Sequence, residues 1–584
     1  MIPVRAYWRL LRSYLRPLRS RVTILWLLLL ASITFQAINP QLIRSFIDRA
    51  QDVSDTGSLL PLAVAFMVLA VAHQAFSVAA TFLAEHVGWT ATNEMRADLA
   101  DHVLRLDMGF HKRVTPGELI ERIDGDVNTL SNFFSRFVIQ VAGNLVLMIV
   151  ILVLLWIEAA AVGLGVMLFA IVALFLMMRF HAIAMPWWKA VRARSAEFFG
   201  FLGEQLAGTE DVRANGAVPY MMHRFTGILR GWLPEAVRAR MGFAVLWATS
   251  IITYIFGLAL VFWLGSRLFD AGTLTLGSTY LIFHYMEMIR EPMEKIRQQM
   301  EDLQKAGAGI ARVEQLFSEE PELDETGTAM LPHGSLSVDL DHVSFAYEDE
   351  QSTGEVVLDD IDVSIGGGRV IGVLGRTGSG KSTLARLLTR LYDVTDGEIR
   401  LGGEPIPAID TASLRSRVGM VTQEVQLFAA PVRDNLTFFD NTIADERIWE
   451  VLFELGLADW VASLPDGLDT QLDSGGGGLS AGQAQLLAFA RIFLRDPGLV
   501  ILDEASSRLD PATEMLIERA VAKLLLDRTG LIIAHRLATV ERADDILILE
   551  DGRVVEHGER AALAADETSK FSTLLQTGME EVLA

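Results

Sequence analysis

The stretch Val370-Ile371-Gly372-Val373-Leu374-Gly375-Arg376-Thr377-Gly378-Ser379-Gly380-Lys381-Ser382-Thr383 decides the reading of the second half of the chain. A short apolar run, read as a buried strand, passes into a glycine-rich loop and then into a helical pattern. Glycines let backbone N–H groups turn inward, and the start of a helix adds its dipole, so such a loop cradles phosphate. Lys381 has the reach for the β- and γ-phosphates of a bound nucleotide, and the Ser382 hydroxyl suits Mg²⁺. A plain glycine-rich turn is the competing reading, and the strand–loop–helix context disfavours it.

A second apolar run, Leu499-Val500-Ile501-Leu502, ends in Asp503-Glu504. Asp503 suits a Mg²⁺ partner through water, and Glu504 suits a base that polarises an attacking water. Val370–Leu374, Gly498–Leu502, Leu531–Ala534 and Asp545–Leu549 all read as buried parallel strands, the pattern of an α/β domain.

The first half reads differently. The chain has 584 residues, 51% hydrophobic and 21% charged, with mean hydropathy +0.34. Six apolar runs, Val22–Pro40, Leu59–Val87, Phe137–Ile157, Ala159–Phe180, Met241–Gly265 and Leu274–Met293, are each near or above the roughly 20 residues that cross a bilayer as a helix. Only Glu158 separates the third from the fourth, which predicts a tight hairpin. Arginines crowd the segment before the first run and the two long connections, about Gly88–Arg136 and His181–Arg240, whereas the opposite loops carry only Arg44, Arg49 and Arg267. That asymmetry places both termini in the cytoplasm. Trp8, Leu11, Leu15 and Leu18 repeat at helical spacing among arginines, which predicts an amphipathic interfacial helix. The expected division is an interfacial helix over 1–21, a transmembrane domain with six spans and two long cytoplasmic loops over 22–318, a linker over 319–333 and a nucleotide domain over 334–584.

Charge and composition exclude several classes. Residues 331–584 hold 43 acidic against 21 basic side chains, nearly all of the net −23. Such a surface does not suit nucleic acid as a partner. The absence of cysteine excludes a disulfide framework, thiolate metal sites and cysteine catalysis, and fits a reducing compartment.

Leu479-Ser480-Ala481-Gly482-Gln483 makes the resemblance specific. The chain resembles an ABC transporter half of the multidrug and lipid exporter type over essentially its whole length. Leu479–Gln483 resembles the family signature, Gln423 the Q-loop, His535 the switch histidine and Ser507-Arg508-Leu509-Asp510 the D-loop. Tyr347 resembles the aromatic residue that stacks on adenine, and His111 to Asp126 the first coupling segment. The resemblance implies ATP contacts from Tyr347, from Gly375, Arg376, Thr377, Gly378, Ser379, Gly380, Lys381, Ser382 and Thr383, and from Ser480, Ala481, Gly482, Gln483 and Asp510. It implies Glu504, His535 and Gln423 as the catalytic group, and Ser382, Gln423 and Asp503 around Mg²⁺.

The departures from that pattern are one-sided. Ala481 stands where the family has glycine, and Arg508 where it has a small residue. Thr470–Asp473 and the following glycines, Ala484 and Leu486-Leu487 also depart. In the family these elements serve the site of the facing chain, while the P-loop, Asp503, Glu504, Gln423 and His535 serve the chain's own. A heterodimer with a second ABC half-transporter, one site strong and one degenerate, is therefore favoured over a homodimer. The expected function is ATP-driven export of hydrophobic or amphipathic small molecules across a bacterial plasma membrane. The rivals are an exporter-fold importer, a peptide exporter and an ATP-gated non-transporter. His73, Glu85, His86, His284 and Glu287 are the ionisable residues singled out in the spans. Glu287 is read either as a substrate contact or as the helical partner of Arg290.

Overall fold

The structure is a computed structural model that describes residues 12–51, 57, 59–347, 356–423, 425–473, 479–503, 511–534 and 540–577. The chain divides into two compact units, Met1–Leu104 with Gly117–Glu319 and Arg105–Pro116 with Glu320–Ala584.

The first unit is helical. Its long elements are α1 (Arg19–Ala50), α2 (Leu59–Arg105), α3 (Asn144–Glu158), α4 (Ala160–Ala207), α5 (Val218–Asp270) and α6 (Leu276–Ser318). Among the described residues five helices are long and apolar enough to cross a membrane. The sixth expected run lies in α6, which is more charged and amphipathic. Its Leu281, Ile282, Tyr285, Met286, Ile289 and Met293 are buried, at the spacing of one helix face. At about 1.5 Å per residue, α2, α4 and α5 run about 70–80 Å, more than twice the ~30 Å hydrocarbon core. The helices therefore continue well past the bilayer, as the long polar connections predict.

Two features of this unit go beyond the sequence reading. The third span opens with a π-helical stretch, Phe137–Gly143, and a second lies at Glu121–Asp126. The expected hairpin at Glu158 is present. Ala159 takes an extended conformation between α3 and α4, and Arg44 on α1 donates to Glu158 at 2.5 Å. Of the N-terminal stripe, Trp8 and Leu11 lie outside the described residues. Leu15 and Leu18 pack against Leu25, Ala80, Ala84 and Val87 of α1 and α2.

The second unit has two sheets. Strands β1 (Val338–Ala346), β2 (Val356–Ile365), β4 (Asp396–Leu401) and β5 (Glu404–Pro405) form a four-stranded sheet in the order β2-β1-β4-β5, antiparallel throughout. Strands β3 (Val370–Leu374), β6 (Val418–Val421), β7 (Leu499–Asp503), β8 (Thr529–Ile533), β9 (Asp545–Glu550) and β10 (Arg553–Glu559) form the other, in the order β10-β9-β3-β8-β7-β6. All its pairings are parallel except β10–β9. Side chains alternate between two cores: Val370 and Leu374 join one, Ile371 and Val373 the other. A sheet covered on both faces needs apolar residues at nearly every position, which is why these strands read as continuous apolar runs.

One ion pair in the helical unit gives a test of stability. Asp126, 3% exposed, accepts from Arg312 Nε at 2.7 Å and from its Nη2. Arg312→Ala leaves that carboxylate buried and unpaired. Because the arginine side chain is 47% exposed, water softens the loss to about 1–3 kcal/mol. Thermal unfolding in detergent should show a lower midpoint for Arg312→Ala and partial recovery for Arg312→Lys, whose ammonium cannot fork. A midpoint equal to that of the unmutated protein would remove the pair from the account.

Candidate nucleotide site

Register brings the site together. In the parallel sheet Val373 on β3 lies beside Ile533 on β8, which lies beside Asp503 on β7. Leu502 on β7 lies beside Val421, the last residue of β6. Neighbouring strands are about 4.8 Å apart, so the carboxyl ends of β3, β8, β7 and β6 form one short edge. From that edge the chain enters the glycine-rich loop after Leu374, Asp503-Glu504 at the end of β7, Ala534-His535 after β8 and Thr422-Gln423 after β6. In an α/β sheet this edge is where ligands bind. Glu504, Asp510 and His535 lie outside the described residues, as do Ser507, Arg508 and Leu509.

The loop itself is built as a phosphate cradle. Gly380 has φ +98° and caps α7 (Lys381–Leu388). A Cβ there would collide with the Leu358 side chain and press on the Val357 carbonyl at 3.0 Å, so only glycine fits. Lys381 is 6% exposed and its Nζ donates to the carbonyls of Gly375 at 2.7 Å and Arg376 at 2.9 Å. These bonds hold the ammonium across the loop. The Ser379 hydroxyl is buried without a hydrogen-bond partner. A buried orphan hydroxyl costs on the order of 1–3 kcal/mol, and a phosphate oxygen at this helix start would satisfy it. The residues present therefore fit a nucleotide triphosphate. Ser382 and Asp503 are both half-buried, and Gln423 is exposed.

Tyr347 is tied to the same helix. Its hydroxyl lies 3.0 Å from Thr383 Oγ1 and accepts from Arg386 Nη1 at 3.0 Å. Its ring meets Phe345 and Tyr392 edge to face, with centroids 4.8 and 5.2 Å away. Lys112 Nζ sits 4.3 Å above the ring centroid, a cation–π contact. Lys112 belongs to the segment Arg105–Pro116, which packs into this unit. There Asp107 accepts from the backbone N–H of Glu322 and, at 3.4 Å, of Leu323. The sequence singles out Tyr347 and puts Lys112 in the segment that resembles a coupling segment, but it does not show their contact, nor Arg386 and Tyr392. Arg386 has a readable signal, one helical face from Ser382; for Lys112 the signal is the coupling-like segment that contains it, which does not specify the ring.

The chain after Gln423 is held by another missed group. Arg491 donates to the carbonyls of Asn435 at 2.6 Å and Gln426 at 3.0 Å, and its guanidinium lies 4.6 Å from the Phe438 ring centre. Burial, with Arg495 nearby, pushes its pKa down to about 10. A lone arginine inside the apolar run Leu486–Phe493 is the signal that marks it.

The signature segment opens a helix. Ser480 caps α8 (Ala481–Arg495) in a reciprocal box: Gln483 N–H donates to Ser480 Oγ at 3.2 Å, and Ser480 N–H donates to Gln483 Oε1 at 2.9 Å. Ser480 and Ala481 are exposed, Gln483 is half-buried and Gly482 is buried. The helix thus presents its positive end to solvent.

Comparison with known proteins agrees with this geometry. The ABC transporter transmembrane region matches residues 22–293, and the ABC transporter domain matches residues 358–507. An uncharacterized ABC transporter ATP-binding protein of Bacillus subtilis is 30% identical over 96% of this chain and 92% of its own length. A fatty acid ABC transporter ATP-binding/permease protein of Mycobacterium bovis is 30% identical over 81% of this chain and 74% of its own. A solved bacterial Atm1-family ABC exporter with ATP bound has the same fold, with TM-score 0.80 at 23% identity over 96% of this chain and 98% of that one.

The cradle predicts a binding defect. Lys381→Ala removes a charge that would meet the phosphates, and charged hydrogen bonds contribute about 1.5–3 kcal/mol. ATP affinity, read by displacement of a fluorescent nucleotide, should fall about ten- to hundredfold. An affinity within twofold of the unmutated protein would contradict the role given to Lys381.

Proposed function

The chain belongs to the ABC transporter family, with transmembrane region and ATP-binding domain fused in one polypeptide, and on that premise we propose that it exports hydrophobic or amphipathic small molecules, drugs or lipids. It is a multi-pass membrane protein and an ATP hydrolase coupled to transport. The observation that carries the reading is the union of long apolar helices with a phosphate cradle at the carboxyl edge of a parallel sheet. The likeness to a fatty acid transporter and the fold shared with an exporter support the direction and the substrate class.

In this reading Lys381 and the amides of the loop hold the β- and γ-phosphates, and the Tyr347 ring stacks on the base. Ser382 and Asp503, with Gln423, would hold Mg²⁺, which neutralises charge on the phosphate oxygens when bound. Glu504 orients the attacking water and His535 senses the γ-phosphate. Ser480, Ala481, Gly482, Gln483 and Asp510 face the nucleotide of a second ABC half-transporter. Both termini are cytoplasmic.

The partner is a different chain. Ala481 carries a methyl where the helix start must approach a phosphate closely, so the partner's nucleotide is poorly held for hydrolysis. This chain's own nucleotide meets intact catalytic groups and the partner's signature, and is the one hydrolysed.

Two outcomes are expected. Glu504→Gln keeps ATP binding and slows steady-state hydrolysis by about two orders of magnitude or more; near-normal turnover would remove Glu504 from its role. Purified alone, the chain forms no dimer with two equivalent hydrolysing sites. A stable, fully active dimer of this single chain would overturn the asymmetric assembly.

A further inference from the structure

Within the helical unit a cavity of about 230 Å³ opens between α4, α5 and α6. One side is apolar, formed by Phe169 and Met177 of α4 and by Met286, Ile289 and Met293 of α6. The other side is polar: Ser250 and Tyr254 from α5, Arg290 and Glu294 from α6. Trp247, one turn before Ser250, stands at the rim and is 64% exposed. An apolar pocket with a few convergent polar groups is the usual form of a small-molecule site.

The polar groups are not equivalent. Glu294 is engaged, with Ser250 Oγ at 3.5 Å among its neighbours. Arg290 lies over the Tyr254 ring, 4.8 Å from its centre, and makes no hydrogen bond or ion pair with the described residues. Glu287, three residues earlier, does not pair with it, contrary to one of the two expectations raised by their spacing. A ring face satisfies none of the N–H donors of a guanidinium. The planar fork of Arg290 stays available at the polar end of an otherwise apolar cavity, the geometry that receives a carboxylate or a phosphate in two parallel bonds.

We propose that this cavity binds an anionic amphiphile, with a single carboxylate or phosphate monoester on Arg290 and its hydrocarbon chain along Phe169, Met177 and Met286. The two head groups share the chemistry the site recognises, and they differ in source: a fatty acid or a single-chain phospholipid. This deepens the proposed export of amphipathic molecules and rests on that reading for its physiological meaning. The binding itself needs neither nucleotide nor transport. Arg290 is here a specificity determinant, and Tyr254 positions it: a cation in the same place would meet Arg290 as a like charge.

The test uses the full-length chain in the assembly in which it purifies, in phosphatidylcholine nanodiscs without nucleotide. Four probes carry the same brominated C18 chain and differ only in the head: carboxylate, phosphate, alcohol and trimethylammonium. Saturable quenching of tryptophan fluorescence is read against Trp247→Phe, with each probe's concentration corrected for partition into the bilayer. At least one anionic probe should bind about ten- to hundredfold more tightly than the alcohol and the cation, as a charge-assisted bond requires. Preference for the carboxylate alone identifies a fatty acid, and preference for the phosphate alone a phospholipid. Arg290→Ala should erase the preference and leave alcohol binding within about twofold, while Arg290→Lys keeps part of it. Equal binding of alcohol and anions by the unmutated protein overturns the proposal without any variant. A preference that survives Arg290→Ala overturns it as well. If the preference holds but ATP moves none of the probes across vesicles, the export reading fails and the binding site stands.

Discussion

The structure depends on one constraint, the parallel register that brings four strand ends to a single edge. Val373, Ile533 and Asp503 lie side by side across β3, β8 and β7. Backbone hydrogen bonds between buried strands fix that alignment, and a slip of one residue would turn every side chain to the opposite core. The buried alternation of Ile371 and Val373 against Val370 and Leu374 makes such a slip costly. Each strand then ends at the same edge: β3 runs into the loop that holds Lys381, β7 ends in Asp503 and β6 leads to Gln423. Backbone positions far apart in sequence are thereby brought to one edge, the place where an α/β sheet binds its ligands.

The second unit also contains a piece of chain from the first half. Arg105–Pro116, between α2 and the third span, packs with Glu322, Leu323 and Tyr347. Lys112 occupies a face of the Tyr347 ring, and Arg386 and Thr383 hold its hydroxyl. The ring proposed to receive the base is therefore engaged by residues of three segments. A base that stacks on the Lys112 face must displace the ammonium, and Lys112 is joined covalently to α2.

Much of this was legible because it is local. The glycine-rich loop, the apolar strands and the six apolar runs each carry their pattern within a few dozen residues, and the hairpin at Glu158 follows from a single polar residue between two spans. What was not legible is long-range or silent in pattern. Lys112 and Tyr347 are more than 200 positions apart, and although the coupling-like segment is recognisable, no local pattern pairs Lys112 with that ring. The π-helical stretches at Glu121–Asp126 and Phe137–Gly143 leave the apolar pattern almost unchanged. The spacing of Glu287 and Arg290 offers an ion pair as one of two readings, but Arg290 lies over the Tyr254 ring on another helix, a contact between helices that no local pattern announces.

In the proposed assembly ATP draws the exposed start of α8 onto a nucleotide held by another chain. Because this chain has no cysteine, label found on it after Ala481→Cys reports that one position once the chains of the assembly are separated by electrophoresis. The direct measurement is its rate of maleimide labelling in the purified assembly, made in the background of Glu504→Gln with and without ATP and Mg²⁺. Rapid labelling is expected without nucleotide, since Ala481 is exposed, and strong protection once ATP is bound. Labelling at the same rate in both conditions, with ATP binding verified, would contradict it.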